Sequence, residues 1–323
     1  MRRSFLFAIL ALIALSSSAQ LLWKVSGNGL EIPSYVLGTF HLASESMIDK
    51  IPGMEQALEH CDIVVGEIDN EELMSQEYVT AMTQIMVAPP DSTLDKVLTD
   101  EEYALVEQEF NKCFGDMGMK LQQYNKFKPN GVRALIMAVK MMKDAPDFQE
   151  FQELIDIVDM QALSAANGSG MDRAVQKRAK EMGRQSVALE TIEEQLMLFN
   201  IPIAKQVKGL LDACNNPDLT KVQFTQFMTI LKAYMAQDLS EVYSIMTDPE
   251  IVDAGAIGML RVNERNLNWI EKLVKMIPEH SCLVYVGAAH LPGELGVLQL
   301  LRDRGYTVEP MLGSAPTHPL ASV

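Results

Sequence analysis

The sequence predicts an α/β (α+β) fold: a central mixed sheet formed from both chain ends, with a long, mainly helical insertion between them. Three observations predict it. Short β-branched and apolar runs cluster between residues 21 and 68 and again between 282 and 311. Residues from about 71 to 275 read as helices punctuated by Gly, Pro and Asn. At each end a strand, a helix and a strand follow one another at the spacing of a βαβ unit. With 323 residues, 48% apolar and 22% charged, the chain has the make-up of a globular protein able to bury a substantial core.

Residues 1–19 carry the marks of a secretory signal. Arg2 and Arg3 give a positive start, Phe5 to Leu15 an apolar stretch, and Ser17-Ser18-Ala19 a small-residue cleavage site. That stretch is too short for a permanent membrane helix. The expectation is an exported chain, periplasmic or secreted, with no stable membrane insertion after signal removal and a single domain over residues 20–323.

The domain opens with two apolar runs around Gly27-Asn28-Gly29, the signal of a β-hairpin. I-P-G-M-E-Q-A-L-E-H reads as a short helix and C-D-I-V-V-G-E-I as a buried strand. Within the insertion (about 71–275), Thr99-Asp100-Glu101-Glu102 has the capping-box pattern for a helix running to Phe114. Pro129 suits the first turn of the next helix. Ala166-Asn167-Gly168-Ser169-Gly170 breaks the chain before a helix that ends at Gly183. Q-S-V-A-L-E is a short strand and T-I-E-E-Q-L-M-L-F a helix; R-N-L-N-W-I-E-K-L-V-K-M-I forms the last helix of the insertion. C-L-V-Y-V-G, G-V-L-Q-L-L-R-D-R-G and Y-T-V-E-P-M then give strand, helix and strand.

The formal charge of −16 argues against a nucleic-acid partner or an anionic membrane surface, both of which need a basic face. Four widely spaced cysteines exclude a C-x-x-C zinc knuckle or redox motif. Cys61 and Cys282 read as small buried hydrophobes, while Cys113 and Cys214 could be bridged in an exported chain. G-x-S-x-G, H-E-x-x-H, Walker A and G-x-G-x-x-G are all absent. Most of the 21 methionines fall in the helical middle, as core filler or as an adaptable apolar groove.

Four polar residues close apolar runs: His41 after Y-V-L-G-T-F, Glu67 after I-V-V-G, Glu190 after S-V-A-L and His290 after L-V-Y-V-G-A-A. Taken singly, such a residue is more often a cap or an ion-pair partner. Taken together they repeat one placement, and ligands of open α/β sheets bind outside the carboxyl ends of the strands. Two imidazoles with one or two carboxylates make a first shell for a divalent metal. Each histidine also follows a glycine by three residues, which suits a sharp turn and close backbone approach. Arg265, with Asn266 at the front of the last insertion helix, could bind a substrate carboxylate or stabilise an oxyanion, or simply cap the helix in a salt bridge. His60, His280 and His318 read as structural or solvated.

These residues also carry a family resemblance. L-L-W-K-V-S-G-N-G-L-E-I-P-S-Y-V-L-G-T-F-H-L resembles the opening of the TraB/GumN family, to which the Tiki-type metalloproteases are related. V-Y-V-G-A-A-H-L-P-G-E-L-G-V-L-Q-L-L-R-D-R-G-Y-T-V resembles its closing motif, and V-V-G-E-I-D, A-L-E-T-I-E-E-Q-L and N-E-R-N-L-N-W its internal landmarks. The resemblance implies an active centre of His41 and His290 with Glu67 as the best-matched acid and Arg265 as the family's arginine; Glu190 is added to that set from its strand-end placement, not from the resemblance. It also implies metal-dependent peptide cleavage, with manganese or cobalt favoured in relatives of Tiki type.

The expected function is therefore an exported metal-dependent hydrolase of a peptide or protein substrate. His41, His290 and Glu67 would hold Mn, Co or Zn, with Glu67, Glu190 and Arg265 in catalytic roles. The alternatives are a non-catalytic peptide-binding protein and a metal-free, histidine-based, esterase-like hydrolase.

Overall fold

A computed structural model describes residues 20–144, 170–248 and 261–311. The signal-like segment, the break at 166–169 and His318 lie outside the described residues.

Six strands form one sheet: β1 (Leu22–Ser26), β2 (Ser34–Thr39), β3 (Ile63–Gly66), β4 (Gln185–Ala188), β5 (Cys282–Gly287) and β6 (Thr307–Pro310), in the order β4-β3-β5-β2-β1-β6. β4, β3, β5 and β2 are parallel neighbours, while β1 runs antiparallel to both β2 and β6. The expected mixed sheet built from both chain ends is thus present. One of its strands, β4, comes from the insertion.

Local chemistry explains the strands. Gly27, Asn28 and Gly29 all take positive φ, at 76°, 48° and 83°, which glycine and asparagine tolerate best, and they turn β1 towards β2. Every residue of β2 and β3 is buried, as is β5 up to Val286, which accounts for their near-continuous apolar sequences. β4 lies at the edge and is partly exposed. Gly66 has no Cβ because the ring of Tyr285, its register partner in β5, occupies that place: a Cβ would stand 2.5 Å from the ring.

Among the described residues, eleven α-helices are longer than four residues: α1 (Met54–His60), α2 (Gln76–Met86), α3 (Asp100–Phe114), α4 (Pro129–Asp144), α5 (Met171–Glu181), α6 (Ile192–Met197), α7 (Ile203–Asn215), α8 (Leu219–Met235), α9 (Leu239–Met246), α10 (Val262–Met276) and α11 (Val297–Asp303). The Thr99 capping box forms with both of its hydrogen bonds, and a second one, on Thr191 and Glu194, starts α6. Gly183 takes φ +74° just beyond α5, as its C-terminal place demands.

Two hydrophobic cores appear among the described residues. The larger surrounds the sheet and takes in Trp23, Tyr35, Tyr234, Trp269 and Tyr285. The smaller is wholly within the insertion, where Phe110, Phe114, Leu121, Ile136 and Leu210 pack together. Met171 and Met228 are buried as core filler, whereas Met74, Met86, Met117, Met182 and Met197 are exposed. Cys61 and Cys282 are fully buried as expected, and no disulfide links the four cysteines of the described residues. Among these residues, no helix is long and apolar enough to cross a membrane.

Candidate active site

The four parallel strands deliver all four strand-end residues to one edge of the sheet. Glu67 follows β3 directly, His41 stands two residues beyond β2, Glu190 two beyond β4, and His290 ends the 3-10 turn that follows β5. Backbone pairing holds the acids side by side past the strand ends, since the Glu190 amide donates to the Glu67 carbonyl at 2.8 Å. β3 and β5 are neighbours whose chains continue to opposite sides of the sheet order, so Glu67 and His290 flank a topological switch point.

Glu67 is the centre. Its Oε1 accepts the Gly287 amide at 2.7 Å and lies 4.0 Å from Nε2 of both His41 and His290. Its Oε2 accepts Arg265 Nη2 at 2.5 Å. Burial favours the neutral acid, but the two imidazoles, the guanidinium and the Gly287 N–H outweigh it and hold the carboxyl well below the usual carboxylate range.

The two histidines are held alike and charged differently. His41 Nδ1 meets Asp172 Oδ2 at 2.7 Å, and His290 Nδ1 meets Asn266 Oδ1 at 2.7 Å. In each case a side-chain oxygen fixes the ring through Nδ1 and turns Nε2 towards Glu67, the arrangement that orients a metal-binding histidine. Asn266 Nδ2 donates to the carbonyls of His290 and Leu295, so its Oδ1 is the acceptor and His290 Nδ1 carries the proton. The lone pair of His290 Nε2 then receives Arg265 Nη1 at 3.1 Å. Burial pushes the His290 pKa down to about 3, with the charges of Arg265 and His41 adding to it, so this imidazole is neutral. His41 has a largely exposed side chain, and the Asp172 carboxylate raises its pKa well above the ordinary value.

Arg265 ties the back of the site together. Its Nε donates to Glu190 Oε1 at 2.6 Å and its Nη2 to Glu190 Oε2 at 3.0 Å, while the guanidinium carbon stands 4.7 Å from the centre of the Trp269 ring. Glu190 also accepts Trp269 Nε1 at 2.8 Å and Gln195 Nε2 at 2.7 Å, so both of its oxygens are engaged. The indole ring of Trp269 in turn packs on His290, 4.3 Å between centroids.

A cavity of about 190 Å³ opens onto this edge, lined by His41, Glu67, Asp172, Asn70, Tyr78 and Gln195 with apolar neighbours. His290, Arg265 and Glu190 stand behind Glu67, each less than a tenth exposed. Among the described residues no group of three His, Cys, Asp or Glu side chains stands ready to hold a metal ion. The donor types nevertheless fit a divalent cation. Each Nε2 to Oε1 gap is 4.0 Å, against about 3.4 Å between ligands held tetrahedrally at about 2.1 Å, so the three atoms would have to draw together to share one ion. The space between them is kept by Gly287: a Cβ there would lie 3.3 Å from Glu67 Oε1 and 3.6 Å from both His41 Nε2 and His290 Cδ2. Coordination by His290 requires Arg265 Nη1 to give up its hydrogen bond to Nε2.

The −3 glycines therefore serve close approach, not positive φ. Gly287 has φ −50°, and Gly38 is absent from the positive-φ glycines. At Gly38 a Cβ would meet the Ala288 backbone at 3.1 Å, so the first G-x-x-H makes room for the second. Sequence reasoning did not single out Asp172 or the Gly287 amide, and it named Asn266 beside Arg265 without linking it to His290. Asp172 had one signal, its place in the first turn of a helix after a Gly-rich break.

The sequence profile of the TraB/PrgY/gumN family matches residues 21–310. The human (Homo sapiens) protein "Metalloprotease TIKI1" is 22% identical over 335 residues, a match that takes in 92% of this chain and 63% of that protein. The chain thus spans less than two thirds of the length of this curated relative. No solved structure matches the chain.

Proposed function

We propose that this chain, which belongs to the TraB/PrgY/gumN family, is an exported metal-dependent hydrolase that cleaves peptides. One observation carries the reading: two imidazole Nε2 atoms, each oriented through Nδ1, stand 4.0 Å from the same buried carboxylate oxygen. The likeness to a metalloprotease supports the class of reaction. His41, His290 and Glu67 would hold Mn, Co or Zn, and the ion would lower the pKa of a bound water.

The rest of the chemistry falls to this chain's own groups. Asp172 and Asn266 fix the two imidazoles. Gly287 keeps the space between them open and donates its N–H to Glu67. Arg265 carries the positive charge that keeps Glu67 ionised and that offsets charge developing in the transition state. Glu190, its oxygens filled, acts as the anchor of Arg265. The cavity wall offers Asn70, Tyr78 and Gln195 to the substrate backbone.

The test is metal content and peptide hydrolysis of the purified wild type beside His41→Ala and His290→Ala. We expect stoichiometric metal in the wild type, loss of it in both variants, and loss of hydrolysis on chelation. Retention of metal in both variants would overturn the reading. A second reading has support in the 2.7 Å His41–Asp172 contact at the exposed end of the site: His41, kept protonated by Asp172, as the general acid of a metal-free hydrolysis. Hydrolysis that survives chelation yet vanishes in His41→Ala would select it. Peptide binding without turnover, undiminished in both histidine variants, would select a sequestering protein.

A further inference from the structure

Four neutral side chains with donor hydrogens line the active-site cavity: Asn70, Tyr78, Gln195 and Tyr285. Three of them are already tied to the protein. Asn70 Nδ2 donates to Gln176 Oε1 at 2.9 Å, Gln195 Nε2 to Glu190 Oε2 at 2.7 Å, and the Tyr285 hydroxyl to Gln176 Oε1 at 3.5 Å. Tyr78 differs. Its amide donates to Ser75 Oγ at 3.0 Å, but among the described residues its hydroxyl has no hydrogen-bond partner. Nor is that oxygen sealed in the interior, as the unpartnered polar atoms of Gln20, Ser186 and Thr220 are. It is a donor held open towards the cavity.

Packing gives no other reason for the ring to stand there. α2, which carries Tyr78 in its first turn, buries none of its residues and joins neither hydrophobic core. The helix is held at its ends instead. Ser75 caps its start, and past its last turn the Lys128 amide donates to the Met86 carbonyl at 2.8 Å and the Ala88 amide to the Lys126 carbonyl at 2.7 Å. Tyr78 is half-buried at the wall that also holds His41 and Glu67. Burial pushes its phenol up, so it keeps its proton at neutral pH.

Amide hydrolysis needs such a donor. As the scissile carbon becomes tetrahedral, the π pair of its carbonyl moves onto oxygen, and a fixed donor at that oxygen lowers the barrier. Arg265 stands behind Glu67, with Nε, Nη1 and Nη2 all donating to Glu190, His290 and Glu67. It contributes charge at a distance and leaves the direct contact to another group.

We propose that Tyr78 is a catalytic residue whose hydroxyl donates to the carbonyl oxygen of the scissile bond and holds it as negative charge gathers there. Tyr78 keeps its own proton throughout, and only a hydrogen bond forms. This role rests on the peptide-hydrolase reading. Tyr78→Phe, which removes one oxygen atom and keeps the ring, tests it in the full chain. The probes are internally quenched peptides of mixed sequence and a phosphinic pseudopeptide. The pseudopeptide copies the sequence that the wild type cleaves fastest, with a tetrahedral phosphinate and a methylene group in place of the scissile amide.

The variant should show a kcat about 10–100-fold lower, the worth of one hydrogen bond to a charged oxygen. Its KM should stay within about twofold of the wild type, because the bond strengthens only in the transition state. The phosphinate should bind the variant more weakly by a similar factor, while melting temperature and metal content stay as in the wild type. An unchanged kcat, or undiminished phosphinate affinity, would overturn the role of Tyr78 and leave the hydrolase standing. A variant that loses metal or melts well below the wild type would also overturn it, since Tyr78 would then serve the metal or the fold. A wild type that cleaves none of the peptides would overturn the hydrolase reading and this role together, and that result is read on the unaltered chain.

Discussion

Gly287 shows how little room the site leaves at the scale of a single residue. Its amide is spent on Glu67 and its missing Cβ is the gap among the side chains of Glu67, His41 and His290. Gly287→Ala would put a methyl group 3.3 Å from Glu67 Oε1, so the carboxylate and the two rings must spread by a few tenths of an ångström. The backbone there has an ordinary φ, so the fold should tolerate the change. The expected outcome is a fall in activity of about tenfold or more, because small displacements of reacting groups are costly. The melting temperature should stay close to that of the wild type. A variant of undiminished activity would show that the gap is not part of the site. Asp172→Asn tests the neighbouring contact. It keeps the shape but removes the charge that polarises His41, and such partners of metal-binding histidines are worth about 10–100-fold in metal affinity or activity. Titration with Mn, Co and Zn on the purified variant measures this, and wild-type affinity for all three would remove Asp172 from the role.

At the scale of elements, the first two turns of α10 act as one device. Arg265, Asn266 and Trp269 reach three different groups of the sheet edge, namely Glu67 and Glu190, the His290 ring, and Glu190 again. Removing the cation alone should be severe, because two buried carboxylates would lose their counter-charge. For Arg265→Met we expect a loss of about 3–5 kcal/mol in chemical denaturation. Arg265→Met with Glu190→Gln should cost less than the sum of the two single changes, since they share one network. Strict additivity would mean that the pair does not interact. The same helix shows what sequence could and could not reveal. His41, Glu67, Glu190 and His290 were legible because each ends an apolar run, and a parallel sheet gathers such ends at one edge. Arg265 was legible by its place before the last G-x-x-H strand. The partners of the two histidines were not. Asp172 lies 131 residues from His41 and Asn266 lies 24 from His290, and neither pairing leaves a local pattern. Of the sharp turn and close backbone approach expected at the −3 glycines, the structure uses close approach, at Gly38 to the segment after β5 and at Gly287 to the candidate site.

Across the whole molecule, the sheet was legible from both ends of the chain, whereas the organisation of the insertion was not. Periodicity gives its helices but does not say which of them pack on the sheet. In the structure α5, α8 and α10 reach the sheet core through Val175, Tyr234 and Trp269, while α3, α4 and α7 close on each other in a second core. Both tryptophans of the chain, Trp23 and Trp269, belong to the sheet core. Tryptophan fluorescence therefore reads the sheet core alone, and far-ultraviolet circular dichroism reads the helices of both. Phe110 is fully buried in the second core, its ring 4.6 Å from that of Phe114 and 5.2 Å from that of Tyr124. Truncation of such a residue costs about 3–5 kcal/mol, through lost transfer energy and the cavity left behind. If the two cores are separate cooperative units, Phe110→Ala should split the denaturation curve. Part of the helical signal should then fall at lower urea, while fluorescence keeps the midpoint of the wild type. If His41, Glu67 and His290 hold a metal as proposed, its binding should persist in the window between the two transitions, because all three residues hang from the sheet. Coincident loss of both signals, shifted together to lower urea, would instead make the insertion and the sheet one folding unit and tie the site to both cores.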